Sequence, residues 1–286
     1  MKTLRTVNDL RAALDGPRLA GRSIGLVPTM GALHEGHVSL IRLARARCDE
    51  VVVTLFVNPA QFSESDDLEV YPRDEQRDAA VAAEAGADIL FAPPPEEVYP
   101  DGFATTVAVA TVSVPLEGAH RGAAHFAGVT TVVTKLLNMA QPDITFLGQK
   151  DAQQVAVIRR LVRDLDIPVQ IAVGETVRDR DGLALSSRNA RLGAEDRARA
   201  LALRRGLDAV RAAIDAGEQD PARITAAGRA AMAALQVEPE YIELVAPDSF
   251  TPIPRLNGEP VLAAVAARVG DVRLIDNEIL TSSGSR

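Results

Sequence analysis

The stretch DITFLGQKDAQQVAVIRRLVRDLDIPVQIAV, residues 143–173, leaves this chain few ways to fold. Asp143 to Leu147 reads as a strand, Gly148 to Lys150 as a tight loop, and Asp151 onward as a helix with Val155, Ile158, Val162 and Leu165 at helical spacing. Ile167 to Val173 returns as a strand. Strand, loop, helix, strand is a βαβ unit, and its right-handed crossover puts the loop at the carboxyl edge of a parallel sheet, where open α/β folds bind ligands.

The segments before it repeat the alternation. SIGLVP (23–28) is a short apolar run, a Gly-containing loop follows, and HVSLIRLARAR reads as a helix from about His37. Val51 to Val57 is a β-branched run that stops at Asn58-Pro59, and continuous runs of this kind suit a sheet covered on both faces. Ala79 to Glu84 looks helical and ADILFAP supplies another strand. After about Val177 the texture changes: 194–216 reads as one helix, 221–235 as another opened by Pro221, and Tyr241–Val245, Val261–Ala267 and Val272–Ile275 as strands. The expectation is an α/β domain with a parallel sheet over 1–176 and a smaller α+β domain over 177–286, closed by a frayed polar tail, TSSGSR.

Composition narrows the partners. The net charge of −8 argues against nucleic acid, since such binding needs a basic field, and aromatics at 3% leave little for base stacking. A single anionic small molecule needs only a few local donors. No run of about 18 apolar residues is present to cross a membrane. The N-terminal segment lacks the apolar core of a signal peptide, which points to a cytoplasmic protein. The lone cysteine, Cys48, lies in a helical pattern that favours a structural role.

VPTMGALHEGHVSL, residues 27–40, holds two of the four histidines three residues apart. The helical zinc motif needs them four apart, and no cysteine cluster accompanies them; a helix cap is the plain alternative. A phosphate loop has the better mechanics. A helix starting here offers unpaired N–H groups, Gly31 and Gly36 let the backbone approach a ligand, and imidazoles donate to phosphate oxygens. Neither a G-x-x-x-x-G-K-[ST] loop nor a G-x-G-x-x-G turn is available to do the same work.

VPTMGALHEGH resembles the H-x-G-H signature of the nucleotidyltransferase superfamily, and its longer spelling resembles that of the pantothenate synthetases. FVNPAQF (56–62), YPR (71–73), HFAGVTTVVTKLLN (125–138), FLGQKDAQQ (146–154) and DGLALSSRN (181–189) follow in order, with weaker support from YIELV and the closing RLIDN. The resemblance implies a Rossmann-like nucleotidyltransferase domain and a smaller C-terminal α+β domain that carries a Ser-Ser-Arg-Asn loop and forms a lid. It also implies a homodimer that joins (R)-pantoate to β-alanine at the expense of ATP. A pantoyl adenylate is the intermediate, and AMP, pyrophosphate and pantothenate are the products. The substrates supply both nucleophiles, so the protein has only to align them and neutralise phosphate charge.

Site roles follow from the same resemblance. Met30, Gly31, Ala32, Leu33, His34, Glu35, Gly36 and His37 would form an ATP loop with both histidines on the phosphates. Gly148, Gln149, Lys150 and Asp151 would form a second, with Lys150 a point charge for phosphate. Val177 would touch adenine, and Leu185, Ser186, Ser187 and Arg188 resemble the superfamily's mobile K-M-S-K-S-type loop. Gln61 would contact pantoate and β-alanine, and Gln154 pantoate. Glu117 and Arg121 would lie near an active-site gate. Mg²⁺ is expected on the ATP phosphates with its protein ligands unknown, Asp78 being one candidate. Two positions depart from the family pattern, which often has Glu where Gln149 stands and an aromatic where Ala152 stands. The rivals are another nucleotidyltransferase, which FVNPAQF and SSRN speak against, an aminoacyl-tRNA synthetase, for which the chain is too short and acidic, and a non-catalytic ATP binder, which would not need His34, His37, Lys150 and Arg188.

Overall fold

The computed structural model describes residues 1–62, 68 and 71–281. By their internal contacts the chain divides into two compact units, Met1–Gly148 with Val157–Glu175, and Gln149–Ala156 with Thr176–Arg286. The division differs from the expected one at Thr176 and in Gln149–Ala156, which groups with the C-terminal segment although it lies inside the βαβ unit.

In the first unit β1 (Lys2–Leu4), β2 (Ile24–Thr29), β3 (Glu50–Leu55), β4 (Ile89–Phe91), β5 (Ile144–Gly148) and β6 (Gln170–Gly174) form one sheet in the order β1-β4-β3-β2-β5-β6. Every pairing in it is parallel. The helices between the strands are α1 (Val7–Leu19), α2 (Glu35–Arg47), α3 (Glu75–Ala85), α4 (Pro95–Val98), α5 (Glu117–Arg121), α6 (Ala123–Ala140) and α7 (Ala152–Asp164). α7 follows a 3₁₀ turn, Gln149–Asp151, so the helix begins one residue later than the sequence pattern suggests.

Successive strand residues point to opposite faces. Val27, Val51, Val53, Leu90 and Phe146 share one core with Val38, Ile41 and Ala44 of α2 and Ala82 and Ala85 of α3. α1 and α6 pack on each other, and α6 also contacts β2. Burial on both faces is why these strands read as unbroken apolar runs. β6 starts at Gln170 and not Ile167, because the N–H of Ile167 returns to Val162 O (3.0 Å) to close α7 and Pro168 has no N–H to give a ladder. Cys48 lies buried beside Gly25, and burial pushes its thiol up from the usual range.

In the second unit β7 (Pro239–Val245), β8 (Val261–Val269) and β9 (Val272–Leu280) make an antiparallel sheet in that order. The expected helix over 194–216 is two, α8 (Ala194–Ala200) and α9 (Ala202–Asp215), bent at Leu201 between two fully buried alanines. α10 (Pro221–Ala233) packs along α9. Leu203, Leu207, Val210 and Ile214 form the apolar stripe of α9, which meets Ile242, Leu244, Ala263 and Val265 of the sheet. Apart from Thr281, the polar tail lies outside the described residues.

Candidate active site

The His34–His37 loop runs from the carboxyl end of β2 into α2. The helix starts at Glu35, two residues earlier than expected, and His34 is its N-cap with φ −134° and ψ 175°. His34 Nδ1 accepts the Gly36 N–H at 3.1 Å, and His37 Nδ1 accepts the His34 N–H at 3.3 Å. The two imidazoles therefore make a reciprocal capping box, and their ring centroids are 4.2 Å apart. An Nδ1 that accepts carries no proton, so a neutral ring in this cap has its proton on Nε2. Both histidines thus cap α2, as the plain alternative had it. Gly36 is needed because a Cβ there would sit 2.9 Å from His34 Cε1.

A buried carboxylate shapes the same loop. Asp78 of α3, 1% exposed, accepts the N–H of Ala32 (2.8 Å, Oδ2) and of Leu33 (2.8 Å, Oδ1). These bonds hold Ala32 at φ 52°, a left-handed conformation that an L side chain adopts at a cost. Both oxygens of the magnesium candidate are thus turned to loop backbone. Among the described residues no group of three or more His, Cys, Asp or Glu could hold a metal ion.

Gln61 closes a short 3₁₀ turn, Pro59–Gln61, after β3. Asn58 caps the turn and is nearly fully buried: its Oδ1 accepts the Ala60 N–H (3.3 Å) and the Tyr99 hydroxyl (2.7 Å), and its Nδ2 donates to Gln61 Oε1 (3.0 Å) and Gly128 O (3.1 Å). Burial pushes the Tyr99 phenol up to about 12, so the hydroxyl stays a donor at any ordinary pH. With Oε1 taken, the Gln61 amide presents its NH₂ beside Met30, Nε2 lying 3.1 Å from Sδ. The Gln61 carbonyl faces His125 Nδ1 at 2.8 Å, and only an N–H can bond a carbonyl, so this ring has its proton on Nδ1. Its Nε2 then accepts from Arg121 Nη1 at 3.1 Å. Arg121, expected at a gate, here helps to fix Gln61 through His125, while Glu117 at the other end of α5 is buried.

The first unit thus brings Met30, the histidine loop and Gln61 to the carboxyl ends of β2 and β3. Asn58, Tyr99 and His125 are the residues a sequence reading passes over as agents. Asn-Pro signals a turn, but nothing local shows that the asparagine aims a glutamine.

In the second unit Lys150 lies in the turn Gln149–Asp151, its side chain 19% exposed and its Nζ 3.4 Å from Asp151 Oδ1. Gln154 is half-buried in the first turns of α7. Val177 and Leu185 face each other across a narrow hairpin, with Leu185 N–H donating to Val177 O at 3.0 Å. Ser186 caps the 3₁₀ turn Ser187–Arg191 by accepting the Arg188 N–H (3.3 Å), and Asn189 Nδ2 donates to Ala184 O (2.9 Å). β9 contacts both the Gln149–Asp151 turn and the Ser187–Arg191 turn.

The H-x-G-H helix cap thus follows β2 and the lysine turn follows β5. The sequence matches the pantoate–β-alanine ligase family over residues 2–279. It is 56% identical over 274 residues to the pantothenate synthetase of Cereibacter sphaeroides, covering 96% of this chain and 98% of that one. The crystal structure of pantothenate synthetase from Thermus thermophilus superposes with a TM-score of 0.92 at 45% identity, over 97% of this chain and 99% of the other. That of pantoate–β-alanine ligase from Francisella tularensis, complexed with β,γ-ATP and β-alanine, gives 0.80 at 34% identity, over 98% and 97%. The chain belongs to the pantoate–β-alanine ligase family and is a pantothenate-forming ligase.

Proposed function

We propose that the reaction uses ATP and proceeds in two steps. A pantoate carboxylate oxygen attacks the α-phosphorus, the bond to the β-phosphate oxygen breaks, and pyrophosphate leaves. The neutral β-alanine amine then attacks the acyl carbon of the adenylate, AMP leaves with the C–O bonding pair, and the nitrogen gives up one proton to solvent, keeping the other as the amide N–H. The observation that carries this reading is the reciprocal histidine cap at the start of α2, on a chain that matches the pantoate–β-alanine ligase family over residues 2–279.

In this reading Met30–His37 receives ATP, with His34 and His37 on the phosphates. Gly148–Asp151 serves as a second ATP loop with Lys150 on phosphate, Val177 lies at adenine, and Leu185–Arg188 serves the triphosphate as part of a lid. The NH₂ of Gln61 suits a pantoate oxygen and the β-alanine carboxylate, and Gln154 serves pantoate. Mg²⁺ enters as the counter-ion of ATP. The complex of the Francisella tularensis relative with a nucleotide and β-alanine supports ATP and β-alanine as ligands.

Pyrophosphate exchange into ATP should require pantoate, proceed without β-alanine, and stop on chelation by EDTA. A folded sample that binds ATP but shows no pantoate-dependent exchange would sink the adenylate step.

A homodimer in the cytoplasm completes the reading. Among the described residues no helix is long and apolar enough to cross a membrane. Phe103 and Val114 expose large apolar side chains that a second copy would cover. Light scattering should return twice the mass of one chain, and the mass of one chain would remove the dimer. Recovery of the native enzyme in the membrane or secreted fraction would remove the location.

A further inference from the structure

We propose that Asn277, on β9, is a positioning residue for Lys150. Its side chain is 5% exposed and makes three hydrogen bonds to the lysine turn. Nδ2 donates to Gln149 O (3.0 Å) and to Lys150 O (2.8 Å), and Oδ1 accepts from Gln149 Nε2 (3.0 Å). Two carbonyls can only accept, so both must face the NH₂ end of the amide, and this fixes which way Asn277 points. Its oxygen is left facing residue 149, and that residue must then donate.

Gln149 donates and leaves both Nδ2 hydrogens to the backbone. An ionised glutamate at 149 would claim one of them and free a carbonyl. In this chain the glutamine donor satisfies the asparagine oxygen.

The neighbouring side chain reaches the other loop. Asp276 accepts two bonds from Arg178 (2.6 and 2.9 Å) and one from the Asn277 N–H (2.8 Å). Arg178 Nη1 also donates to Gly182 O at 3.2 Å, in the hairpin that leads to Ser186–Arg188. Two consecutive residues of one strand thus hold the backbone of the lysine turn and the root of the serine loop. A lysine stem has four rotatable bonds, so where its ammonium can reach is set first by where its backbone is fixed.

The inference rests on Lys150 acting on the phosphates, and the experiment separates the two. Asn277→Asp keeps the shape but turns a carboxylate toward two carbonyls. Gln149→Leu removes only the donor, from a less buried side chain. Each is made in the native chain and in Lys150→Ala, with kcat and KM for ATP measured separately and folding checked by thermal melting. In the native chain Asn277→Asp should lower kcat about 10- to 100-fold, as expected for a misplaced charge, and Gln149→Leu about 3- to 10-fold. In the Lys150→Ala background both should cost less than about 3-fold. Equal costs in the two backgrounds, or no cost in either, would overturn the positioning role. Near-native activity of Lys150→Ala alone would instead overturn the phosphate role of Lys150. If Asn277→Asp does not fold, Gln149→Leu decides by the same cycle.

Discussion

Replacing His34 with Asn is expected to leave α2 capped at least as well as in the native chain while turnover falls about 100- to 1,000-fold. Asn is among the best N-cap residues, and its Oδ1 can accept the Gly36 N–H that His34 Nδ1 accepts now. What it cannot supply is the Nε2 proton. His37→Asn separates the same two functions from the other side of the box, because an amide oxygen can take the His34 N–H. His37→Ala removes both, so it should add a stability loss of about 1 kcal/mol to the same fall in turnover. A chain with a total stability of roughly 5–15 kcal/mol stays folded after such a loss. Urea midpoints and kcat, measured on all three variants, check this. Near-normal turnover in His34→Asn or His37→Asn would reduce the corresponding ring to a helix cap.

Gly128→Ala is expected to cost stability and disturb the Gln61 turn together. A Cβ at Gly128 would lie 2.2 Å from Ala60 O and 2.7 Å from the Gln61 nitrogen, both backbone atoms that cannot swing aside. α6 must therefore move away from the Pro59–Gln61 turn, and two bonds that cross this contact stretch with it: Asn58 Nδ2 to Gly128 O, and His125 Nδ1 to Gln61 O. Overpacking costs about 1–3 kcal/mol, and a half-satisfied buried asparagine about 1–3 more. The variant should lose roughly 3 kcal/mol or more against urea, and its KM for pantoate and β-alanine should rise. A normal urea midpoint with unchanged KM would show that the turn does not depend on the close approach.

What was legible in the sequence followed from local rules. β2, β3 and β5 could be read because burial on both faces leaves an apolar run. The histidine loop could be read because a helix terminus and two glycines are written side by side. α6 is the instructive gap. HFAGVTTVVTKLLN carries β-branched residues, which favour strands when read alone. Thr130, Thr131 and Thr134 each turn their hydroxyl back to the carbonyl four residues earlier, at 2.8, 2.7 and 2.7 Å, which satisfies them inside a helix. Most of its other side chains are buried, so no polar face marks the period. Asp78 could be seen as an acid but not as the clamp on Ala32 and Leu33, because that pairing joins residues far apart in sequence. Asn277 was visible only as the last letter of RLIDN.

The route of the chain also sets an order of assembly. Gln149 and Lys150 are synthesised well before β9, and their two carbonyls have no Asn277 to accept from until that strand emerges. Domains made on the ribosome generally form from the N-terminal side, so the parallel sheet can close while the lysine turn still waits for its partner. A nascent chain halted in β8 would hold a finished histidine cap and an unfinished lysine turn. Residues 177–286 made alone would lack Gln149–Ala156, leaving the Asn277 amide without the groups it is built to meet. A chain stopped before β9 would thus keep its parallel sheet and lack the Asn277 contacts that fix the lysine turn.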